Sequence, residues 1–215
     1  MIRPLVVSLL LVTVACGDRT PPPDETAQAA DLDSLEDAIE AEPALPPMPD
    51  YPRADAGQLR ARAVGAFELD RGWPARAGRC ANPAMVLVIA EEPGSGASVL
   101  LQLPSGGLTG LYPVKLADSA GMPLPPASQV GFQFFEASAA QAYQASEGEV
   151  EVRELTDRRV SGRFAVTMRH LVNNRNARVA GTFHQVEVEA LPPDWCEQAA
   201  AAQDSLAAAM DSAGG

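Results

Sequence analysis

Between Glu149 and Glu189 the chain alternates apolar and polar residues. Val150 and Val152 face one way, with Glu149, Glu151 and Arg153 on the other. Val160, Gly162, Phe164, Val166 and Met168 then alternate with Ser161, Arg163, Ala165, Thr167 and Arg169, and the segment from Arg178 to Phe183 follows. A period of two marks strands with one face buried and one wet. The links Thr156–Arg159 and Asn173–Asn176 suit hairpin turns, because Asn and Asp tolerate turn dihedrals and bond their own backbone. Three antiparallel strands are therefore expected here.

Upstream, turn-rich links separate further strand candidates. The first spans Gln58–Asp70, centred on Ala63–Leu69, and a loop with Trp73, Pro74 and Cys80 follows. Met85–Ala90 is a continuous apolar run, as in a strand covered on both faces. Ser98–Leu103 forms a hairpin with it across Glu91–Ala97. Gly110–Leu116 carries Pro113, which lacks a ladder donor and so belongs at an edge. Ser128–Phe134 completes the set. About eight short strands with almost no helical periodicity predict an all-β domain, a single antiparallel sandwich or barrel. Gly-x-aromatic units recur at Gly65–Phe67, Gly110–Tyr112, Gly162–Phe164 and Gly181–Phe183. Two residues apart means one face, where a neighbouring ring can cover the gap a glycine leaves.

The chain opens with Arg3 and the apolar run Leu5–Val12, too short for a span of about 20 residues and suited to a signal peptide over residues 1–15. It continues Thr13-Val14-Ala15-Cys16-Gly17. This resembles the lipobox of bacterial lipoproteins, in which the Cys is lipidated and becomes the new N-terminus. The alternative is a plain signal peptide with an incidental Cys. The resemblance implies a lipid anchor on Cys16. It also implies an outer-membrane address in a cell with two membranes, since Gly17 rather than Asp follows the Cys. A second resemblance rests on Tyr143–Val152, Val160–Phe164 and Val179–Phe183. These are similar to the small all-β domains of uncharacterised bacterial lipoproteins, which implies fold and location and no functional residue.

Residues 16–56 are rich in Pro and acid and are expected to be a disordered tether. Formal charge is +1 over residues 1–17, −9 over 18–56, −1 over 57–196 and −3 over 197–215. The β domain, residues 57–196, is thus nearly neutral, and the acidic tether and tail argue against nucleic acid as a partner. Leu32, Leu35 and Ile39 could line one face of a short helix, which would be marginal alone. Residues 197–215 are Ala-rich and predict a short frayed helix with Asp194 as N-cap.

With Cys16 lipidated, Cys80 and Cys196 are expected to form a disulfide in an exported protein. Two Cys and the distant His170 and His184 lack zinc-site spacing, so no metal or cofactor is expected. No nucleophile elbow, phosphate loop or zincin motif occurs in the sequence, and no catalytic residue is assigned. His170 and His184 are placed on the polar side of the alternation. Glu149, Glu151, Glu187 and Glu189, with Arg153, Arg163 and Arg169, are read as a solvated mixed-charge face. Two function classes remain for what is expected to be a monomer. One is a non-catalytic envelope module that binds a protein or glycan. The other carries a small apolar ligand inside a barrel. A filled interior would argue against the carrier, and a lined cavity would favour it.

Overall fold

The computed structural model describes residues 44–105, 108–116, 125–136 and 139–201. The signal peptide, Cys16, the Leu32–Ile39 stripe and the tail beyond residue 201 lie outside the described residues. Nine strands follow in order: β1 (Gln58–Gly65), β2 (Leu69–Cys80), β3 (Met85–Glu92), β4 (Ser95–Gln102), β5 (Gly110–Pro113), β6 (Ala127–Glu136), β7 (Ala139–Leu155), β8 (Arg159–His170) and β9 (Asn176–Ala190). The sheet runs β5-β7-β6-β4-β3-β2-β1-β9-β8, and β7 also pairs with β8. That last pairing closes eight strands into an antiparallel barrel and leaves β5 outside the ring. The architecture is thus the barrel of the two forms expected. Closure removes free strand edges, which open sheets must otherwise protect.

Two wedges show how the ring closes. The start of β6 and the end of β7 diverge, and β5 fills the gap by pairing Gly110–Pro113 with Val152–Glu149. Pro113 therefore sits in a short strand paired on one side, as its missing N–H requires. β1 is short, so β2 outruns it and pairs Ala77–Arg79 in parallel with Val188–Ala190 of β9. β2 is a strand where a loop was expected from Trp73, Pro74 and Cys80. Its polar outer residues and Pro74 hide the pattern, yet Trp73 is buried and its indole N–H donates to Ser95 Oγ at 2.9 Å.

The three strands expected after Glu149 are β7, β8 and β9. Their turns fall where expected, the second held by Asn as anticipated and the first by Thr156 rather than Asp157. Thr156 Oγ1 accepts the N–H groups of Arg158 and Arg159, and Asn173 Oδ1 accepts that of Arg175. β7 bends at two register shifts. Just after the first of them Gly148 has φ +113°, and a Cβ there would run into the backbone of Ala165 and Val166. Only glycine fits such an approach without strain.

The core lies inside the barrel and includes Leu59, Ala61, Val86, Val88, Val99, Leu101, Val130, Phe132, Val150, Phe164, Val166, Val179 and Phe183. Two of the glycine–aromatic units act as expected, and reciprocally. Gly162 pairs with Phe183 and Phe164 with Gly181 across β8 and β9. Each ring occupies the space that a Cβ on the opposite glycine would need. The other two units do not. Gly65 (φ +117°) is approached by the backbone of Asn176 and Ala177, and Gly110 (φ +132°) has nothing close.

The described domain begins before Gln58. Pro52 and Ala54 are buried, and Tyr51 lies under the Arg163 guanidinium at 4.5 Å. Residues 44–56, expected to be tether, therefore lie on the barrel wall; their many prolines fit an extended strap that needs no ladder bonds. At the other end of the chain, a helix (α1, residues 193–201) packs outside β3 and β4. Ala199, Met85 and Cys80 form a second buried cluster, flanked by Leu100, Leu191 and Trp195. The N-cap is one residue pair earlier than Asp194: Pro192 O accepts the N–H groups of Trp195 and Cys196. Cys80 and Cys196 are disulfide-bonded, with Cα atoms 5.7 Å apart.

Candidate functional site

Strand direction divides the loops between two ends. The upper end carries the links after β1, β3, β6 and β8. The lower end carries the links after β2 and β7, together with the disulfide and α1.

Beneath the upper rim lies a group of rings. Phe67 sits 4.5 Å from Tyr143 and 5.1 Å from Phe134, and Phe134 stacks on Tyr143 at 5.8 Å. His170 meets Tyr143 edge-on at 4.8 Å. His170 is a correction to the sequence reading, for it is buried at 5% exposure rather than on the wet face. Its position is even-numbered, as are Val166 and Met168, so the alternation itself sends it inward. Nδ1 accepts the N–H groups of Val172 and Asn173, which places the ring proton on Nε2. Nε2 then donates to Gln141 Oε1 at 2.8 Å. Nδ1 thus holds the β8–β9 turn and Nε2 ties it to β7, so the histidine shapes the rim. His184 is exposed and lies towards the lower end, where the Gly57 N–H bonds its carbonyl. The two histidines do not meet.

The rim itself is apolar. Phe135 is 66% exposed, Leu171 59% and Val172 87%, three of the six large hydrophobic side chains exposed among the described residues. β6 and β7 pair Phe135 with Ala140, and the Leu171 N–H donates to Ala142 O. The register therefore runs an apolar strip across the outer edge of β6, β7 and the β8–β9 turn. Adjacent strands lie about 4.8 Å apart, so the strip is roughly 10 Å wide. The signal for it was present in the sequence. With Phe134 inside, Phe135 must point out, and Leu171–Val172 stand directly before the Asn173–Asn174 turn.

Two clefts open beside the strip. One of about 130 Å³ is lined by Phe67, Trp73 and Phe134 with Glu68 and Arg71. Another of about 260 Å³ lies over Glu91, Gln133, Phe135 and Ala140. Small-molecule sites usually enclose roughly 300–1,000 Å³, and both clefts fall below that.

The expected charged face is found and is wet. Glu149, Glu187 and Glu189 are exposed. Arg153 and Arg163 bond the Glu151 carboxylate and hold it below its ordinary carboxylate range, Arg163 at 2.5 Å. Arg60, and then Arg62, do the same for Asp70. These are structural pairs on outer walls, not paired acids in a cleft. No group of three or more His, Cys, Asp or Glu that could hold a metal ion occurs among the described residues. Gln102, on the outer wall of β4, is buried with both amide atoms unpartnered, and the structure offers no physical account of it. No helix among the described residues is long and apolar enough to cross a membrane. No family model, no curated protein and no solved structure matches this chain.

Proposed function

We propose that this chain is a non-catalytic module of the cell envelope, held to a membrane by lipid on Cys16, that works by binding through its surface. The observation that carries the reading is the apolar upper rim of Phe135, Leu171 and Val172 on a barrel whose interior is occupied by its own side chains. Isolated exposed hydrophobic residues are ordinary, but a cluster at one end of a small domain marks a contact surface. The packed rings favour this over carriage of a small apolar ligand, which needs a hollow lumen. The disulfide between Cys80 and Cys196 fits an oxidising compartment outside the cytosol.

The test is site-specific photo-crosslinking in cells that export the full chain. A crosslinker at Val172 is expected to give an adduct, and one at Asp157, at the lower end, is not. Changing Cys16→Ser is expected to release the chain from the membrane fraction and to abolish the adduct. Equal labelling at both positions, or none at either, overturns the binding reading. A chain that stays in the membrane fraction without Cys16 overturns the anchor.

A further inference from the structure

We infer that the upper end takes an extended peptide segment of a partner protein, added as a short strand to the free edge of β2, with one bulky apolar side chain seated in the cleft beside it. This rests on the reading of the upper end as a binding surface and names the class of partner.

The ring closes at every strand, but not along the whole length of every strand. β2 has 12 residues where β1 and β3 have 8 each, so it overhangs them. Its lower overhang is completed by β9, through Ala77–Arg79. Its upper part, from Leu69 to Pro74, pairs with β1 on one side. On the other side the ladder to β3 begins only at Ala75 and Ala90, because the β3–β4 hairpin turns back between Glu92 and Ser95. The Ala75 N–H donates to Gly57 O, on the β1 side. Backbone groups alternate sides along a strand, so Trp73 and Arg71 also turn theirs to β1, while Gly72 and Asp70 turn theirs away from it. The N–H and C=O groups of Gly72 and Asp70 have no strand opposite them among the described residues, and both residues are exposed. Such a row of donors and acceptors is a template for an extended backbone and for little else.

The cleft of about 130 Å³ opens beside this edge, walled by Phe67, Trp73, Phe132 and Phe134, with the exposed Phe135 at its lip. An apolar cavity of about 150 Å³ takes one benzene ring, so this cleft has the room of a single ring or branched aliphatic group rather than of a free ligand. Side chains alternate with strand spacing, which lets a guest strand place one residue in the cleft and keep its neighbours in solvent. Phe135 also belongs to the apolar rim, so cleft and rim form one continuous surface. Glu68 is exposed at the cleft with no cationic partner among the described residues, whereas Asp70 and Glu92 are each paired with arginine. The guest is therefore expected to carry Lys or Arg next to its apolar anchor. Shortness and a nearby charge, here the Arg71–Glu92 pair, are also how proteins guard an edge against unwanted pairing. A guarded edge has no use for a ring-lined slot at its side, and that slot favours a site.

The experiment pans random eight-residue peptides, displayed on phage, against the full exported chain and, in parallel, against its Gly72→Pro variant. A Cβ at Gly72 would make only ordinary contacts with Gln58 and Arg60, and proline is tolerated where the N–H faces away from the ladder. The variant therefore removes the outward donor and leaves the pairing with β1 intact. Peptides enriched on the parent chain are expected to share a bulky apolar residue beside Lys or Arg. The strongest of them, synthesised and added to the parent chain, should slow hydrogen exchange at the Gly72 and Asp70 amides and leave that of Arg71, already bonded to β1, as it was. Gly72→Pro should weaken the peptide about tenfold, the worth of one hydrogen bond. Ala in place of the peptide's apolar anchor should weaken it about tenfold or more, the worth of burying one large side chain. A peptide that binds both chains equally, or binds without slowing the amides of Gly72 and Asp70, overturns strand addition; the exchange measurement decides by itself if Gly72→Pro does not fold. An Ala-substituted peptide that binds as well as its parent overturns the cleft as anchor site. No enrichment, with the adduct at position 172 still formed in cells, overturns this inference and leaves the wider binding reading standing. No enrichment and no adduct overturns both.

Discussion

The two ends of the barrel solve the same problem differently. Each must finish eight strands and cover the last layer of core. At the lower end α1 packs on the outer wall over Met85 and Leu100, the Cys80–Cys196 bond ties that helix to β2, and Arg79 of β2 meets Asp157 of the β7–β8 turn at 3.1 Å. At the upper end no such cover occurs among the described residues. Four short links close the strands, and a hydrogen-bonded histidine holds one of them with its apolar tip in solvent. The difference teaches that a covalent bond and a packed helix brace the lower end, while stacked rings and a hydrogen-bonded histidine hold the upper one with its apolar tip exposed.

If that division is right, the largest stability effect belongs to the lower end. Replacing both Cys80 and Cys196 by Ala should lower unfolding free energy by up to about 4–5 kcal/mol, the loop-entropy figure for a closed loop of this size. The loop spans 116 residues. Urea unfolding measures the loss, and the environment of a label at 172 should not change. A label that shifts would couple the two ends and break the comparison.

Next comes the middle of the barrel, which both ends share. Gly181→Ala should cost about 1–3 kcal/mol, because the Phe164 ring fills the place of the new Cβ. Combining it with Phe164→Leu should cost less than the sum of the two single changes, since the smaller side chain relieves the clash. Simple additivity would mean that ring and glycine do not share that space.

At the upper end His170→Ala should cost about 1–3 kcal/mol, by leaving the Val172 and Asn173 N–H groups and the Gln141 amide without their partner. Hydrogen exchange is the sharper measurement. The amides of 172 and 173 should lose protection while those of β3 keep it. Uniform loss would show that His170 stabilises the whole barrel rather than its rim.

Smaller again is the acid limb. Arg60 and Arg62 lower the pKa of Asp70, and Arg153 and Arg163 lower that of Glu151. A depressed folded-state value contributes stability that is present above the unfolded pKa, near 4, and is lost as pH falls through the folded one. Asp70→Asn with Glu151→Gln should therefore flatten the fall in stability below about pH 4, with little change at pH 7 beyond that of exposed ion pairs. An acid limb as steep as the parent's would show that other carboxylates set it. Smallest of all, Leu171→Ser with Val172→Ser should leave stability within about 0.5 kcal/mol, as for exposed positions, while removing contact at the upper end.

Much of the fold could be read because it is local. The alternation of β8 is carried by consecutive residues from Val160 to Met168, and the Thr156 and Asn173 turns are closed by their own side chains. β2 was opaque because its outer face is polar and interrupted by Gly72 and Pro74, so that Trp73 alone signals burial. His170 was read onto the wrong face at the point where strand passes into turn, where the count of two is easiest to lose. The mixed charges of Glu151, Arg153 and Arg163 were legible as surface. The exposure of Phe135 and of Leu171–Val172 was legible one by one, but their meeting in one rim was not, because they stand far apart in sequence and come together only through the register of β6, β7 and β8.

The sequence by itself determined that this chain makes antiparallel strands, where most of them turn, and which glycines sit two residues from an aromatic. Those properties follow from short-range sterics and from the two-residue pleat. Tertiary structure alone decided that the sheet closes into a ring, that residues 44–56 lie against its wall, and that Phe135, Leu171 and Val172 meet at one end. Closure depends on how far each strand slides past its neighbour. That offset is set by the bulges in β7 after Ala145 and Val152 and in β8 after Val160, by the wedge of β5, and by the parallel overlap of β2 with β9.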